Sequence, residues 1–197
     1  EKTLTAGKLA LAANLNEEEK HAIKGLQLLT MKPIMYVLNK KAGGHNLDEM
    51  NDERYKKLVA FLENLNATYV TVDAGIEGEL RDVADDEKQS LRQEFGVLDD
   101  GIDSLIKSGY SLLGLITFLT TGLDETRAWT IKKGSSAPEA GAAIHSDFRD
   151  KFIRAEVVSY ENLSALGSYA KAREKGWGRT EGKKYVVQDG DIIEFKI

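Results

Sequence analysis

The chain has 197 residues, 42% of them hydrophobic and 30% charged, with a formal net charge of −5, no cysteine and only three histidines, His21, His45 and His145. That length can bury a core in one large domain or two small ones, and no stretch approaches the ~20 apolar residues of a membrane span. Disulfides and thiolate metal sites are excluded, the histidines lack metal-ligand spacing, no secretory leader is expected, and the composition fits a reducing, cytoplasmic setting.

In chain order, Asn16 followed by Glu19 is a helix-capping pair, and Ile23, Leu26 and Leu29 keep one face apolar. A helix is therefore expected up to Pro33, which disfavours helical backbone before it. Ile34 to Leu38 is a continuous apolar run with Gly43 and Gly44 soon after, the pattern of a strand buried on both faces. Leu47, Met50, Leu58, Phe61, Leu62 and Leu65 space out as a long amphipathic helix, and "ATYVTV" (67–72) reads as a second buried strand. Strand, helix, strand in this order predicts a parallel βαβ unit. Helical stretches follow near 77–95 and 102–113. Two strands are too few for a stable doubly wound sheet, so this α/β part reads as partial.

After Gly114 the texture changes, and a domain boundary is expected near 113. "LITFLTT" (115–121), "ETRAWTI" (125–131), "FIRAEVV" (152–158), "KYVVQ" (184–188) and "IIEFKI" (192–197) are short runs rich in β-branched and aromatic residues. Between them lie expected helices near 138–144 and 160–175 and an Asp189-Gly190 turn. The first two strands suit a hairpin, and the whole suits the β-grasp (ubiquitin-like) plan. Charge is divided the same way. Residues 1–113 carry 14 Lys+Arg against 20 Asp+Glu, a balance of −6, whereas residues 114–197 carry 13 against 12, a balance of +1. Within the second part, Lys171, Arg173, Lys175, Arg179, Lys183 and Lys184 face only Glu174 and Glu181. Such a strip suits an RNA phosphate backbone or is a solvated surface.

The stretch "PIMYVLNKKAGG" (33–44) places Asn39-Lys40-Lys41-Ala42 where P-loop GTPases carry Asn-Lys-x-Asp, the loop that reads a nucleotide base. "GLITFLTTGLDETRAWTI", "AGAAIHSDFRDKFIRAEVVSYENL" and "TEGKKYVVQDGDIIEFKI" resemble the TGS domain, a β-grasp module, in its version from the Obg-like ATPases of the YchF type. "EEEKHAIKGLQLLTMKPIMYVLNK" is similar to that family's helical hairpin running into its base-reading strand, and "DAGIEGEL" (73–80) to the loop that packs on the base. The resemblance implies three parts: the end of a helical hairpin over 1–32, the C-terminal portion of a nucleotide-binding α/β domain over 33–113, and a TGS domain over 114–197. It further implies ATP, or GTP, with Mg²⁺ as substrate and cofactor of the intact protein, and ribosomes or structured RNA as partners. Asn39 would brace the loop, Lys40 would cover the base, and Ala74 with Gly75 would close the other side. An ordinary strand-to-turn exit is the competing reading of the same residues.

Two departures matter. Neither Gly7-Lys8 nor Gly182-Lys183 sits in a Gly-x-x-x-x-Gly-Lys-[Ser/Thr] phosphate loop, so these residues alone are not expected to hydrolyse a nucleotide or to need a cofactor. Ala42 stands where guanine-reading loops have an acid, so guanine preference is not expected, charge-assisted hydrogen bonds contributing about 1.5–3 kcal/mol each. A stand-alone docking module without hydrolase activity is the alternative reading.

The remaining candidates are structural or open. His145, Ser146 and Asp147 have no nucleophile pattern around them and are expected to cap a turn. Trp129 suits a core or half-buried anchor. Trp177, between glycines in the basic strip, suits either stacking on a base or packing over a sheet edge. Asp82, Asp85, Asp86 and Glu87 read as surface acid.

Overall fold

Asn16 caps a helix as its spacing predicts: its side chain accepts the Glu19 N–H, and the Glu19 carboxylate accepts the Asn16 N–H, both at 2.9 Å. The computed structural model describes residues 2–95, 101–122 and 125–197, and the chain forms two compact units, Glu1–Leu112 and Leu113–Ile197. In the first unit, α1 (Lys2–Thr5) precedes α2 (Glu17–Ile23). The helix expected to reach Pro33 stops at Ile23 and tightens into 3-10 turns at Lys24–Leu26 and Leu29–Met31. Gln27, at φ +45°, separates them. The cause is missing tertiary support: Leu26 and Leu29 are 66% and 75% exposed, and short helices depend on packing of their apolar face.

Strands β1 (Met35–Asn39) and β2 (Thr68–Val72) pair in parallel, from Met35 opposite Thr68 to Asn39 opposite Val72. Helix α3 (Glu53–Asn64) connects them, completing the βαβ unit. It starts later than the apolar spacing suggests because Asp52 caps it, accepting the Arg54 N–H at 2.7 Å, which leaves Leu47 and Met50 in the preceding turns. The single helix expected over 77–95 is two, α4 (Ala74–Leu80) and α5 (Asp85–Glu94). Helix α6 (Gly101–Leu113) follows. Leu62, Val70, Val72, Ile76 and Leu80 form the buried centre. Buried beside them, Glu77 accepts from Arg92 at 2.7 Å and from the Gly101 N–H at 3.0 Å, tying α4, α5 and α6 together.

The second unit contains β3 (Leu115–Thr121), β4 (Thr126–Lys132), β5 (Arg154–Ser159), β6 (Arg179–Glu181) and β7 (Asp191–Lys196), in sheet order β4-β3-β7-β5-β6. The β3–β4 hairpin is antiparallel, β7 runs parallel to β3, and β5 is antiparallel to both β7 and β6. That is the β-grasp plan. Helices α7 (Ala137–Ala142) and α8 (Ser146–Asp150) supply Ala137, Ala140 and Phe148 to one face, against Ile116, Phe118, Val157 and Ile193. The Phe195 ring makes edge or tilted contacts with Phe118, Phe148 and Phe152 at 5.9, 5.8 and 6.3 Å. On β5, Ala155 and Val157 face this core, so Glu156 and Val158 face away, because strand neighbours alternate.

Two expectations are corrected here. The helix expected over 160–175 is α9 (Tyr160–Leu166) and α10 (Tyr169–Glu174), divided by Gly167 in the left-handed conformation at φ +70°. The strand expected at 184–188 is absent. Tyr185 and Val187 instead bond the segment entering α7, through the Ala137 N–H to Tyr185 carbonyl bond (2.8 Å) and the Val187 N–H to Ser135 carbonyl bond (3.0 Å). The place at the sheet edge is taken by β6, from within the basic strip.

Gly141 lies at a close contact between α7 and α8. A Cβ there would lie 2.9 Å from the Phe148 Cβ and 3.3 Å from its carbonyl oxygen. Gly141→Ala is therefore expected to separate α7 from α8 and to destabilise the second unit by about 1–3 kcal/mol, measured by denaturant unfolding.

Candidate functional site

β1 and β2 run in parallel, so their C-terminal ends, Asn39 and Val72, emerge at one edge, where open α/β sheets bind ligands. The Asn39 side-chain oxygen accepts the Ala74 N–H at 3.0 Å. The Lys40 N–H extends the pairing to the Val72 carbonyl at 2.8 Å. Its ammonium binds Asp48 at 2.8 Å and Glu49 at 2.5 Å. Hydrogen bonding to Asp48 and then to Glu49 raises the Lys40 pKa above its ordinary value, and the same bonds lower both carboxyls. The ammonium is thus committed to the protein. The methylene stem is the part of Lys40 on which a planar ring can lie.

Asp73 organises the rest. One carboxylate oxygen accepts the Ala42 N–H, and the other accepts the Gly75 and Ile76 N–H groups at 3.0 and 3.1 Å. It caps α4 and ties the loop after β1 to the loop after β2. Asn46 closes the far side of that first loop, accepting the Lys41 N–H at 3.0 Å and donating to the Lys41 carbonyl at 2.9 Å. The four candidates Asn39, Lys40, Ala74 and Gly75 are therefore brought together, across 35 residues of sequence. Ala42 offers no acid, and both Asp73 oxygens already hold backbone amides, so neither is poised for the N1–H and amine of guanine. Asp73, Asp48 and Glu49 escaped the sequence reading. Asp73 carried a usable signal: an aspartate directly after a strand and directly before a helix is a capping residue.

The basic strip does not form one surface. The Arg173 guanidinium pairs with Glu156 on the sheet face turned away from the core. Arg179 sits opposite Val157 in β6, so it projects on the core side, and binds the Tyr185 hydroxyl at 3.1 Å and Asp191 at 3.4 Å. Both arginines are struts on opposite faces of the sheet. Lys175 lies over the Trp177 ring, 5.2 Å from its centroid. Lys171, Lys183 and Lys184 are exposed and have no ion-pair partner among the described residues.

The other sequence candidates are local. His145 caps α8, its Nδ1 accepting the Asp147 N–H at 3.2 Å. Trp129 is half-buried, with its indole N–H donating to Thr120 Oγ1 at 2.9 Å and Arg127 stacked at 4.4 Å. Asp82 pairs with Arg81 and Asp85 with Lys88 on the surface.

A parallel βαβ edge ending in a cross-linked loop pair, within a chain that also carries a β-grasp unit, defines a narrow class of mixed α/β protein. Residues 115–197 match the YchF-GTPase_C family model, described as "Protein of unknown function (DUF933)". The chain is 47% identical over 189 residues to the ribosome-binding ATPase YchF of Bacillus subtilis, covering 96% of this chain and 51% of that protein. It is 38% identical to the protein of that name from Escherichia coli O157:H7, covering 93% and 50%. The YchF GTPase structure from Schizosaccharomyces pombe superposes with a TM-score of 0.80 at 28% identity, covering 98% of this chain and 50% of that one. A GTP binding protein of Pyrococcus horikoshii, at 20% identity and a TM-score of 0.60, shares the fold. The chain belongs to the YchF family and matches the C-terminal part of its members. It spans about half the length of the curated relatives it matches.

Proposed function

We propose that this chain is the base-recognising and ribosome-docking part of a cytoplasmic YchF-type nucleotide hydrolase that uses ATP, or GTP, with Mg²⁺. The observation that carries the reading is the cross-linked loop pair: Asn39 and Lys40 on one strand end meet Ala74 and Gly75 on the other, held by Asp73. Such an edge suits a purine lying between the Lys40 stem and the Ala74–Gly75 turn, with Ala42 and the occupied Asp73 disfavouring guanine. The 197 residues contain no phosphate-loop signature, so the triphosphate and its Mg²⁺ fall to residues outside them. The unit over residues 113–197 then acts as a TGS module that docks on the ribosome. Among the described residues no helix is long and apolar enough to cross a membrane.

Two measurements test this on the same protein. Calorimetry should give an ATP·Mg²⁺ affinity no tighter than about 1 mM, equivalent to about −4 kcal/mol, with no turnover above background. Ribosome co-sedimentation should be retained at low salt and fall steeply as salt rises. Micromolar ATP binding, turnover by residues 1–197, or salt-indifferent sedimentation overturns the reading.

A further inference from the structure

We propose that the RNA-facing part of the second unit is the indole of Trp177 with Lys175 over its ring, together with the exposed Lys171, Lys183 and Lys184 of the same strip, and that it takes unpaired RNA. One base stacks on the ring and the lysines hold the flanking phosphates. This rests on the ribosome-docking reading and deepens it, naming the partner chemistry and removing Arg173 and Arg179 from the contact.

The argument starts from which cations are already spent. Arg173 and Arg179 answer Glu156 and Asp191 on opposite faces of the sheet and cannot meet one backbone together. The four lysines are exposed, and none has an ion-pair partner among the described residues. They are the strip's available positive charge in a chain of net charge −5.

The tryptophan supplies the selectivity. Its backbone N–H donates to the Ala172 carbonyl at 2.9 Å, pinning the loop to the end of α10. Gly176 turns the chain at φ +71°. At Gly178 a Cβ would stand 3.3 Å from Arg173 Cγ, so the glycine lets the backbone pass close over α10. This scaffold holds the indole up instead of letting it collapse: the residue is 37% exposed. Trp129, by contrast, gives its indole N–H to Thr120, while each ring carries one cation, Arg127 over Trp129 and Lys175 over Trp177. A partly exposed ring on a fixed turn is pre-organised for a planar guest, which reduces the ordering cost of binding. Lys175, over the ring at 5.2 Å from its centroid, adds positive charge close to a nucleotide stacked there. Bases inside a duplex are already stacked and shielded, whereas loops and single strands offer them. Lysines alone would serve either form of RNA or an acidic peptide. The displayed ring favours the unpaired strand.

The test uses residues 1–197, a short labelled uridine oligonucleotide and the matching duplex, read by anisotropy and tryptophan emission. Single-stranded RNA is expected to quench the emission and to bind more tightly than duplex. Trp177→Ala should weaken binding about tenfold or more, in line with base–aromatic stacking, while Trp177→Phe should largely restore affinity but lose the quench. Replacing Lys171, Lys183 and Lys184 together by glutamine should flatten the log–log salt dependence by about 2, at about 0.7 per single-strand phosphate contact. Unchanged affinity in Trp177→Ala, equal or tighter duplex binding, or competition by an acidic peptide but not by RNA overturns the proposal. Ribosome sedimentation separates the two readings. Wild-type sedimentation that Trp177→Ala leaves intact removes this inference and keeps the docking role, whereas oligonucleotide binding through Trp177 without sedimentation keeps the RNA site and removes the ribosome.

Discussion

Replacing Glu77 by alanine is expected to destabilise the first unit by about 3–5 kcal/mol, the usual cost of breaking a buried ion pair from one side. Glu77 is 7% exposed and the Arg92 side chain 14%. Alanine removes the carboxylate 2.7 Å from that guanidinium and also strips the Gly101 N–H of its acceptor at 3.0 Å, which adds the penalty of an unmet buried donor. Three helices meet at this carboxylate, so the loss spreads beyond α4. Glu77→Gln keeps an oxygen for Gly101 and much of the shape, and should fall between alanine and the native protein. The measurement separates the units, because both tryptophans, Trp129 and Trp177, lie in the second one. Far-ultraviolet circular dichroism should show the first unit unfolding at lower denaturant while tryptophan emission keeps its midpoint. Coincident, unshifted curves for Glu77→Ala would reject the assignment.

That carboxylate also shows where sequence reading reaches its limit. The capping box at Asn16 and Glu19 and the alternation of strand, helix and strand through 34–72 are local patterns, and the cap and the order of elements appear in the structure as expected, although α3 begins only at Glu53. Glu77 has no such signature. It becomes a hub only because α5 and α6 fold back over α4. Similarly, β6 is three residues, Arg179–Glu181, with no apolar period to reveal it. It is a strand because β5 offers Ala155, Glu156 and Val157 for pairing. "KYVVQ" has the better strand composition and forms none, since the backbone it meets is the turn before α7.

The candidate site divides in the same way. Asn39, Lys40, Ala74 and Gly75 were legible from the family resemblance and not from strand patterning, and the structure brings them together at the ends of the two parallel strands. What joined them was not legible: Asp73 holds Ala42 from 31 residues away. The basic strip failed for a geometric reason. Sequence places Arg173 and Arg179 close together, but Arg173 is on α10 and pairs with Glu156 on the face turned from the core, whereas Arg179 projects from β6 on the core side. Counting charges along the chain cannot assign them to faces, whereas the β5–β6 register does.

The second large effect is expected at Asp191, which is 2% exposed at the start of the central strand β7. Its carboxylate accepts the Tyr185 hydroxyl at 2.6 Å and the Gln188 N–H at 2.9 Å, with Arg179 at 3.4 Å. Two charge-assisted bonds at about 1.5–3 kcal/mol each put the cost of Asp191→Ala at about 3–6 kcal/mol. The half-exposed arginine adds little, as surface pairs do. Loss of the bonds should release the 185–190 turn and lower the unfolding midpoint seen by Trp129 emission. A loss below about 1 kcal/mol would mean that water replaces the carboxylate without penalty. The same contact sets an alkaline limit. Burial, then the hydrogen bond to Asp191, pushes Tyr185 up to about 12, and burial, then the charge of Glu194, pushes Tyr169 up to about 12. An unfolded tyrosine ionises near pH ~10. Both folded values lie above that, so their contribution is complete below pH ~10 and is lost as pH rises towards 12. Of the seven tyrosines, Tyr169 and Tyr185 should therefore form phenolate last in an absorbance titration, at the pH where the second unit unfolds. In Asp191→Ala, Tyr185 should move down but stay above its ordinary value, since burial, the larger cause, remains. A Tyr185 titration unchanged by Asp191→Ala would show that the carboxylate does not control that phenol.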